Sequence, residues 1–154
     1  MDQKTNDKHS LFQILHKAFL KREKLISESE NSAFRLINGF TEGFLEISLD
    51  LYARTLVIHS FFKEGENTQQ LITAICREAM NWIPNLKCIL FKEHFSKKVK
   101  NQQGTVLYGN LPDDEIVEWN VRYKINLQLN RDCSFYLDNS NLRKWLLDNV
   151  SGKT

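Results

Sequence analysis

Val117, Trp119, Val121, Tyr123, Ile125, Leu127 and Leu129 alternate with Glu118, Asn120, Arg122, Lys124, Asn126, Gln128 and Asn130. Seven apolar residues at period two give an extended chain one dry side and one wet side. A helix cannot use that pattern, because its faces repeat at 3.6 residues. The stretch predicts β-structure with its odd-numbered side chains on a layer of helices, Trp119, Tyr123 and Ile125 in the core. It outruns a common strand of about 5–6 residues, so a bend or hairpin turn is expected near Asn120.

The rest of the chain alternates between helical and extended signals. Residues 1–9 read as a flexible lead-in. Leu11, Ile14, Leu15, Ala18 and Phe19 then recur at helical spacing, with Ser10 as a plausible N-cap, and predict a helix over 11–27. A polar connection over 27–32 leads to Leu45, Ile47 and Leu49, which alternate with Glu46, Ser48 and Asp50 as a strand wet on one face. Residues 51–54 turn the chain into a partner strand over 55–62, apolar on both faces and therefore central. Gly65-Glu66-Asn67 breaks it. A second helix is expected over 68–83, with an Asn67/Gln70 capping box, a stripe of Ile72, Ile75, Cys76, Ala79, Trp82 and Ile83, and Pro84 as its stop. Strands follow over 86–91 and 105–108, separated by a basic loop over 96–104. Asp113-Asp114-Glu115 reads as a solvated turn. A last helix from 139–141 to Val150 uses Leu142, Trp145, Leu146 and Val150, with Gly152 as its stop.

This order predicts one α+β domain over 10–150, an antiparallel or mixed sheet with helices packed on one face, and a tail at 151–154. It lacks the repeated strand–helix alternation of a complete Rossmann-like cofactor domain. With 154 residues, 42% hydrophobic and 26% charged, the chain can bury a core of its own. A net charge of +2 does not by itself indicate nucleic-acid binding. No apolar run reaches the ~18 residues of a membrane span, and the polar N-terminus has no signal-peptide pattern, so a cytoplasmic location is expected. Cys76, Cys88 and Cys133 are odd in number and far apart, which points to reduced, buried thiols.

Two stretches carry a resemblance. The first is Arg35-Leu-Ile-Asn-Gly-Phe-Thr-Glu-Gly-Phe-Leu-Glu-Ile-Ser-Leu-Asp-Leu-Tyr52, the second Phe135-Tyr-Leu-Asp-Asn-Ser-Asn-Leu-Arg143. Together they resemble the segment ahead of the cofactor domain in class I S-adenosylmethionine (SAM)-dependent methyltransferases of the RNA cytosine-C5 type. The matching positions are Arg35, Leu36, Gly39, Gly43, Asp50 and Tyr52, then Phe135, Leu137, Asp138 and Arg143, with Tyr136 conservative. Glu42 replaces an Asp, Leu45-Glu46 a Pro-Gly, Leu51 a frequent Arg, and Ser140 an Arg. The resemblance implies an N-terminal, substrate-side domain, with Phe135, Tyr136, Asp138 and Arg143 at the edge of the cofactor site. It implies SAM as the family cofactor. This chain alone is expected to bind none and to be inactive, because the strand–Gly-rich loop–helix unit is missing and no cysteine lies in a catalytic motif. The implied partners are RNA and a separate or downstream cofactor-binding catalytic domain. Ser140 removes a fixed planar cation from that edge.

Other chemistry is sparse. Gly152-Lys153-Thr154 echoes a phosphate loop, but position 147 is Leu where the motif needs Gly. The four His are scattered, His16 and His59 among them, so no metal site is expected. Lys92, Lys97, Lys98 and Lys100, with His94, form the one basic cluster, interleaved with Phe91 and Phe95. Such a cluster holds RNA by phosphate contact and stacking, or is a solvated loop flanked by core Phe. The second is the expectation for Phe95. A free-standing RNA- or protein-binding module is the alternative to the methyltransferase reading. A small enzyme, marked by a deep pocket with convergent polar groups, is a third.

Overall fold

The computed structural model describes residues 3–28, 31–43, 45–63 and 68–150. The expected chain break at Gly65–Asn67, the capping residue Asn67 and the tail with Gly152 lie outside the described residues. In chain order the elements are α1 (Gln3–Glu28), β1 (Ala33–Ile37), β2 (Ile47–Tyr52), β3 (Thr55–Ser60), α2 (Gln69–Trp82), β4 (Cys88–Glu93), α3 (Val99–Gln103), β5 (Thr105–Tyr108), β6 (Glu115–Glu118), β7 (Val121–Lys124) and α4 (Ser140–Val150), the last preceded by a 3₁₀ turn at Leu137–Asn139. Strands β1 to β5 form one sheet in that order, antiparallel except for the β3–β4 pair, which α2 connects as a parallel crossover. The fold is α+β with a mixed sheet. Among the described residues no helix is long and apolar enough to cross a membrane.

The sheet has two differently built faces. Ile47, Leu49, Leu51, Leu56, Ile58 and Ile89 point to one, where they meet Leu15, Ala18 and Phe19 of α1 and Ile72, Ile75 and Ala79 of α2. These are the stripes the helical spacing predicts. Helix α1 starts earlier than expected: residues 3–9, read as a lead-in, continue it, and Ser10 lies inside it rather than capping it. Thr68 holds the N-cap position of α2 without a side-chain capping bond.

The other face departs from the sequence reading. Tyr52, Val57 and Leu90 point there, and they are covered by Ile116, Ile125, Leu127, Cys133 and Phe135. All six residues of β2 are therefore buried, including Ser48 and Asp50, which the alternation placed in water. The cover begins as a β6–β7 hairpin with Trp119-Asn120 at its turn, both at positive φ (53° and 63°). The turn falls where the length of the alternation predicts. Its consequence for facing does not follow from the alternation. Glu118 pairs with Val121 and Ile116 with Tyr123, so an even-numbered residue on β6 shares its face with an odd-numbered one on β7. A two-residue turn thus reverses the phase of the pattern. Ile116 is buried on β6, Ile125 and Leu127 are buried beyond β7, Tyr123 is half-buried, and Trp119 is 50% exposed instead of sitting in the core. Among the described residues no helix packs there as a layer.

Two further expectations change. Asp113 is not solvated: its carboxylate accepts from the Arg54 amide (2.9 Å), the Thr55 hydroxyl (3.0 Å) and Lys87 Nζ (3.0 Å). Burial opposes its charge, yet these donors hold its carboxyl below the usual range. Helix α4 exists as predicted, but none of its residues is buried, and Leu142, Trp145, Leu146 and Val150 face outward.

Candidate functional site

The two resembling stretches meet on the second face of the sheet. The Tyr52 hydroxyl on β2 donates to the Phe135 carbonyl (3.2 Å), tying the first to the second. Arg35 on β1 lies opposite Asp50 on β2 and forks onto it with bonds of 2.8 and 3.1 Å. His59 Nε2 lies 3.3 Å from the same carboxylate but off the line of a hydrogen bond, and it is the one buried side-chain polar atom among the described residues with no bonded partner. His59 Nδ1 is 2.9 Å from His94 Nε2, and Phe61 stacks on the His94 ring at 4.4 Å. Burial is the largest single influence on Asp50 and works against its charge. The neighbouring His59 and Arg35 together outweigh it and hold the carboxyl below its ordinary range. Glu42 closes the loop between β1 and β2 by accepting from Arg22, the Asn38 amide and Thr41, while Gly39 and Gly43 both take φ of +76° as the turn requires. In this chain the first stretch is therefore an internal brace.

The second stretch is organised around a carboxylate that sequence reasoning missed. Glu118, read as a wet-side strand residue, accepts a fork from Arg143 and a bond from the Ser140 hydroxyl (2.6 Å). Arg143 also donates to the Tyr136 carbonyl (2.7 Å) and lies 4.0 Å above the Phe135 ring. The bonds to Arg143 are the main reason Glu118 sits below the usual carboxyl range, and the bond to Glu118 the main reason Arg143 sits above its own. Of the four residues expected at a cofactor edge, Phe135 is buried and Arg143 is committed to internal partners. Tyr136 and Asp138 are exposed. Beside them Tyr123, Arg143, Leu146, Leu147 and Val150 line a cleft of about 410 Å³. A signal for Glu118 exists in hindsight: it is the even-numbered residue at a hairpin turn, where the phase reverses.

The basic segment divides. Lys92 is fully buried, its ammonium donating to the carbonyls of Asn130 (2.7 Å) and Asp132 (3.4 Å), and burial lowers its pKa. It cannot reach a phosphate, which corrects the sequence reading. Its position follows from β4, where it shares the inner side with Cys88 and Leu90. Lys97, Lys98 and Lys100 are exposed around α3, a helix where a loop was expected. Phe95 is 59% exposed, so the core role expected for it is also corrected. Cys88 and Cys133 are buried and Cys76 half-buried. Burial pushes up all three thiols, Cys133 to about 11, which disfavours the thiolate form. No group of three potential metal ligands converges among the described residues.

No family model and no curated relative matches this sequence. Solved structures share its fold, two among them with TM-scores above 0.7. One is a protein from Streptococcus mutans assigned as a SAM-dependent methyltransferase, with a TM-score of 0.73 and 18% identity over 92% of this chain. The other is SMU.776, assigned as a methyltransferase and solved in complex with SAH, with a TM-score of 0.72 and 18% identity over 90% of this chain. The chain spans only about a third of the length of these proteins, 36% and 34% respectively. What it shares with them is the fold of that third.

Proposed function

We propose that these residues form the substrate-side domain of a SAM-dependent methyltransferase acting on RNA, and that methylation requires a cofactor-binding domain in addition, in the same polypeptide or another. The observation that carries the reading is the match of nearly the whole chain to a third of two proteins assigned as methyltransferases, with α4 presenting an apolar face that none of the described residues covers. Four large apolar side chains in eleven residues form a contiguous patch of the kind that marks an interaction surface. A cofactor-binding domain seated on α4 would close the adjacent cleft and bring Tyr136 and Asp138 to its border. The described residues contain no strand–Gly-rich loop–helix unit of the kind that cradles a nucleotide cofactor. Calorimetry with SAM tests this directly. The isolated chain is expected to give no saturable heat at micromolar cofactor, and saturable binding overturns the reading.

RNA as the partner rests on a separate observation, the exposed Phe95 beside Lys97, Lys98 and Lys100. An exposed ring offers a stacking surface and the cations neutralise phosphates. Replacing the three lysines by alanine is expected to weaken RNA binding and flatten its log–log salt slope by roughly two to three units, at about 0.7–0.9 per contact. The same pair of features fits a free-standing RNA-binding module, which differs in binding RNA fully without a cofactor domain.

A further inference from the structure

Resting on the RNA reading, we infer that His94 Nδ1 accepts a hydrogen bond from a ribose 2′-hydroxyl and so selects RNA over DNA. His94 directly follows β4, and its backbone amide donates to the Ser60 carbonyl at the end of β3 (2.9 Å). The Phe61 amide donates to the Glu46 carbonyl (2.8 Å), so the residues leaving β3 and β4 emerge side by side at one end of the sheet. These two strands are parallel, and open sheets place their ligands outside the carboxyl ends of such strands.

A chain of three side chains fixes the state of that ring. Asp50 stands on β2, His59 on β3 and His94 just past β4, with Asp50 2% and His59 7% exposed. When both rings are neutral, one proton lies between His59 Nδ1 and His94 Nε2, which are 2.9 Å apart. Two arrangements exist. If His59 supplied that proton, its Nε2 would turn a lone pair on the Asp50 carboxylate at 3.3 Å, in a place sealed from water. If His94 supplies it, His59 Nε2 carries a proton toward the carboxylate instead. The charge on Asp50 selects the second arrangement, because the partner of one imidazole nitrogen decides the state of the other. His94 is left with its Nε2–H turned inward and Nδ1 as a bare acceptor. Nδ1 has no partner among the described residues, and it is not sealed in as His59 Nε2 is. Burial, with the charge of His59 next in weight, lowers His94 to about 4, so the ring stays neutral and Nδ1 keeps its lone pair. Lys92 and Arg131 also oppose a charge on it, and Asp132 favours one. Phe61, stacked at 4.4 Å, holds the plane of the ring.

The neighbouring residues decide which donor arrives. Phe95, 59% exposed, is the next residue and offers a stacking surface, and Lys97 and Lys98 are exposed cations just beyond it. A nucleotide with its base on Phe95 and its phosphate at these lysines has its ribose between the two. Within a strand the 3′ and 5′ oxygens are esterified, so the 2′-hydroxyl is the one group of the sugar that can donate. DNA lacks it, and a protein tells the two nucleic acids apart by that group.

The test titrates the intact chain with fluorescein-labelled uridylate hexamers built on ribose, 2′-deoxyribose or 2′-fluororibose. The fluoro sugar keeps the shape of ribose and lacks the donor. The ribose hexamer is expected to bind about three- to tenfold more tightly than either of the others, the worth of one hydrogen bond. In long-range proton–nitrogen NMR spectra of the free protein at about pH 8, His94 should show Nε2 protonated and Nδ1 bare. The Nδ1 resonance should move with the ribose hexamer only. His94→Phe keeps the stack on Phe61 and removes the acceptor, so the three hexamers should then bind alike, with the lysine-dependent salt slope unchanged. Asp50→Asn removes the charge that sets the tautomer, so part of the His94 population should carry its proton on Nδ1 and the ribose preference should shrink. A role in folding alone would leave that tautomer where it was. Should either variant fail to fold, the hexamer series and the spectra of the unaltered chain still decide. A fluoro hexamer that binds as tightly as the ribose one assigns the preference to sugar shape and overturns the inference, and so does a protonated Nδ1 in the free, unaltered chain. If all three hexamers bind alike with lysine-dependent salt sensitivity, the role of His94 is wrong and nucleic-acid binding stands. If none binds, the RNA reading fails and takes this inference with it.

Discussion

The two faces of the sheet are built from the same five strands but solve different problems. On the helical face Phe19, Leu36, Leu49, Leu56, Ile58, Ile75 and Ile89 interlock without a polar group among them. On the other face a row of polar residues crosses the strands, Arg35 to Asp50 to His59 and Lys92, beside a smaller apolar cluster around Val57, Leu90 and Ile116. Apolar contacts are non-directional and tolerate loose specification, whereas buried charges must each find a particular partner. The helical face is therefore held by area. The other face depends on matched pairs, and all the candidate chemistry lies on it or at its border.

The largest expected effect tests whether one face dominates stability. Phe19→Ala removes the largest fully buried side chain of the helical face and should cost about 3–5 kcal/mol in urea unfolding. Ile125→Ala on the other face should cost roughly 2–5 kcal/mol, toward the lower end because its cluster is smaller. If Ile125→Ala instead gives a lower m-value and separate transitions by fluorescence and circular dichroism, the hairpin cover unfolds as its own unit.

The next effect isolates the polar row. Asp50→Asn keeps the shape but leaves Arg35 and His59 without their shared carboxylate, and should cost about 1–3 kcal/mol. An effect within about 0.5 kcal/mol, the size of an ordinary surface change, would show that water replaces the pairing and that the face is wetter than its burial suggests.

A pH dependence follows from the same row. Burial, with the charge of His59 next in weight, lowers His94 to about 4. The unfolded chain then takes up a proton near 6.5, before the folded one does. Stability is complete above pH 6.5, declines as pH falls toward 4, and levels off below that as far as this group is concerned. The carboxyls of Asp50, Asp113 and Glu118, all held below their usual range, add their losses at lower pH still. Urea midpoints measured between pH 7 and 4 should fall, and His94→Gln should flatten that fall. An unchanged slope in the variant would assign it to other groups.

The comparison also explains what was legible in the sequence. The stripes of α1 and α2 and the central place of β3 follow from apolar periodicity, and those are the features held by area. Lys92, Asp113 and Glu118 depart from the sequence reading because a charged residue in a basic cluster, a turn or an alternating strand reads as solvated until its partner is known. Those partners lie far along the chain: Asn130 for Lys92, Thr55 for Asp113, Arg143 for Glu118. Strand β1 was missed because five residues centred on Arg35 carry too little alternation, and its pairing with β2 is a tertiary fact. For α4 the sequence specifies an apolar face but not its cover. The resemblance located Phe135 to Arg143 as one unit, and the structure adds that Arg143 is turned inward onto Glu118.

The smallest expected effect sharpens the reading of the hairpin tip, where the alternation would have put a core tryptophan. Trp119 sits at φ 53°, a left-handed conformation that a bulky side chain adopts at a cost of about 1–2 kcal/mol and that asparagine adopts more readily. Its ring is half exposed, and its recorded partner is the Lys144 ammonium, 5.3 Å from the centroid. Such an exposed cation–π contact is worth about 0.5–1 kcal/mol. Trp119→Asn relieves the first and loses the second, so the net change should be a stabilisation of about 0.5 kcal/mol, read as a small rise in urea midpoint at constant m-value. Asn is also a preferred residue for the first central position of this turn, which favours the same sign. A loss of more than about 1 kcal/mol would mean that the indole contributes buried packing after all. The hairpin tip would then belong to the second face's core, and the contrast between the two faces would be weaker than their composition indicates.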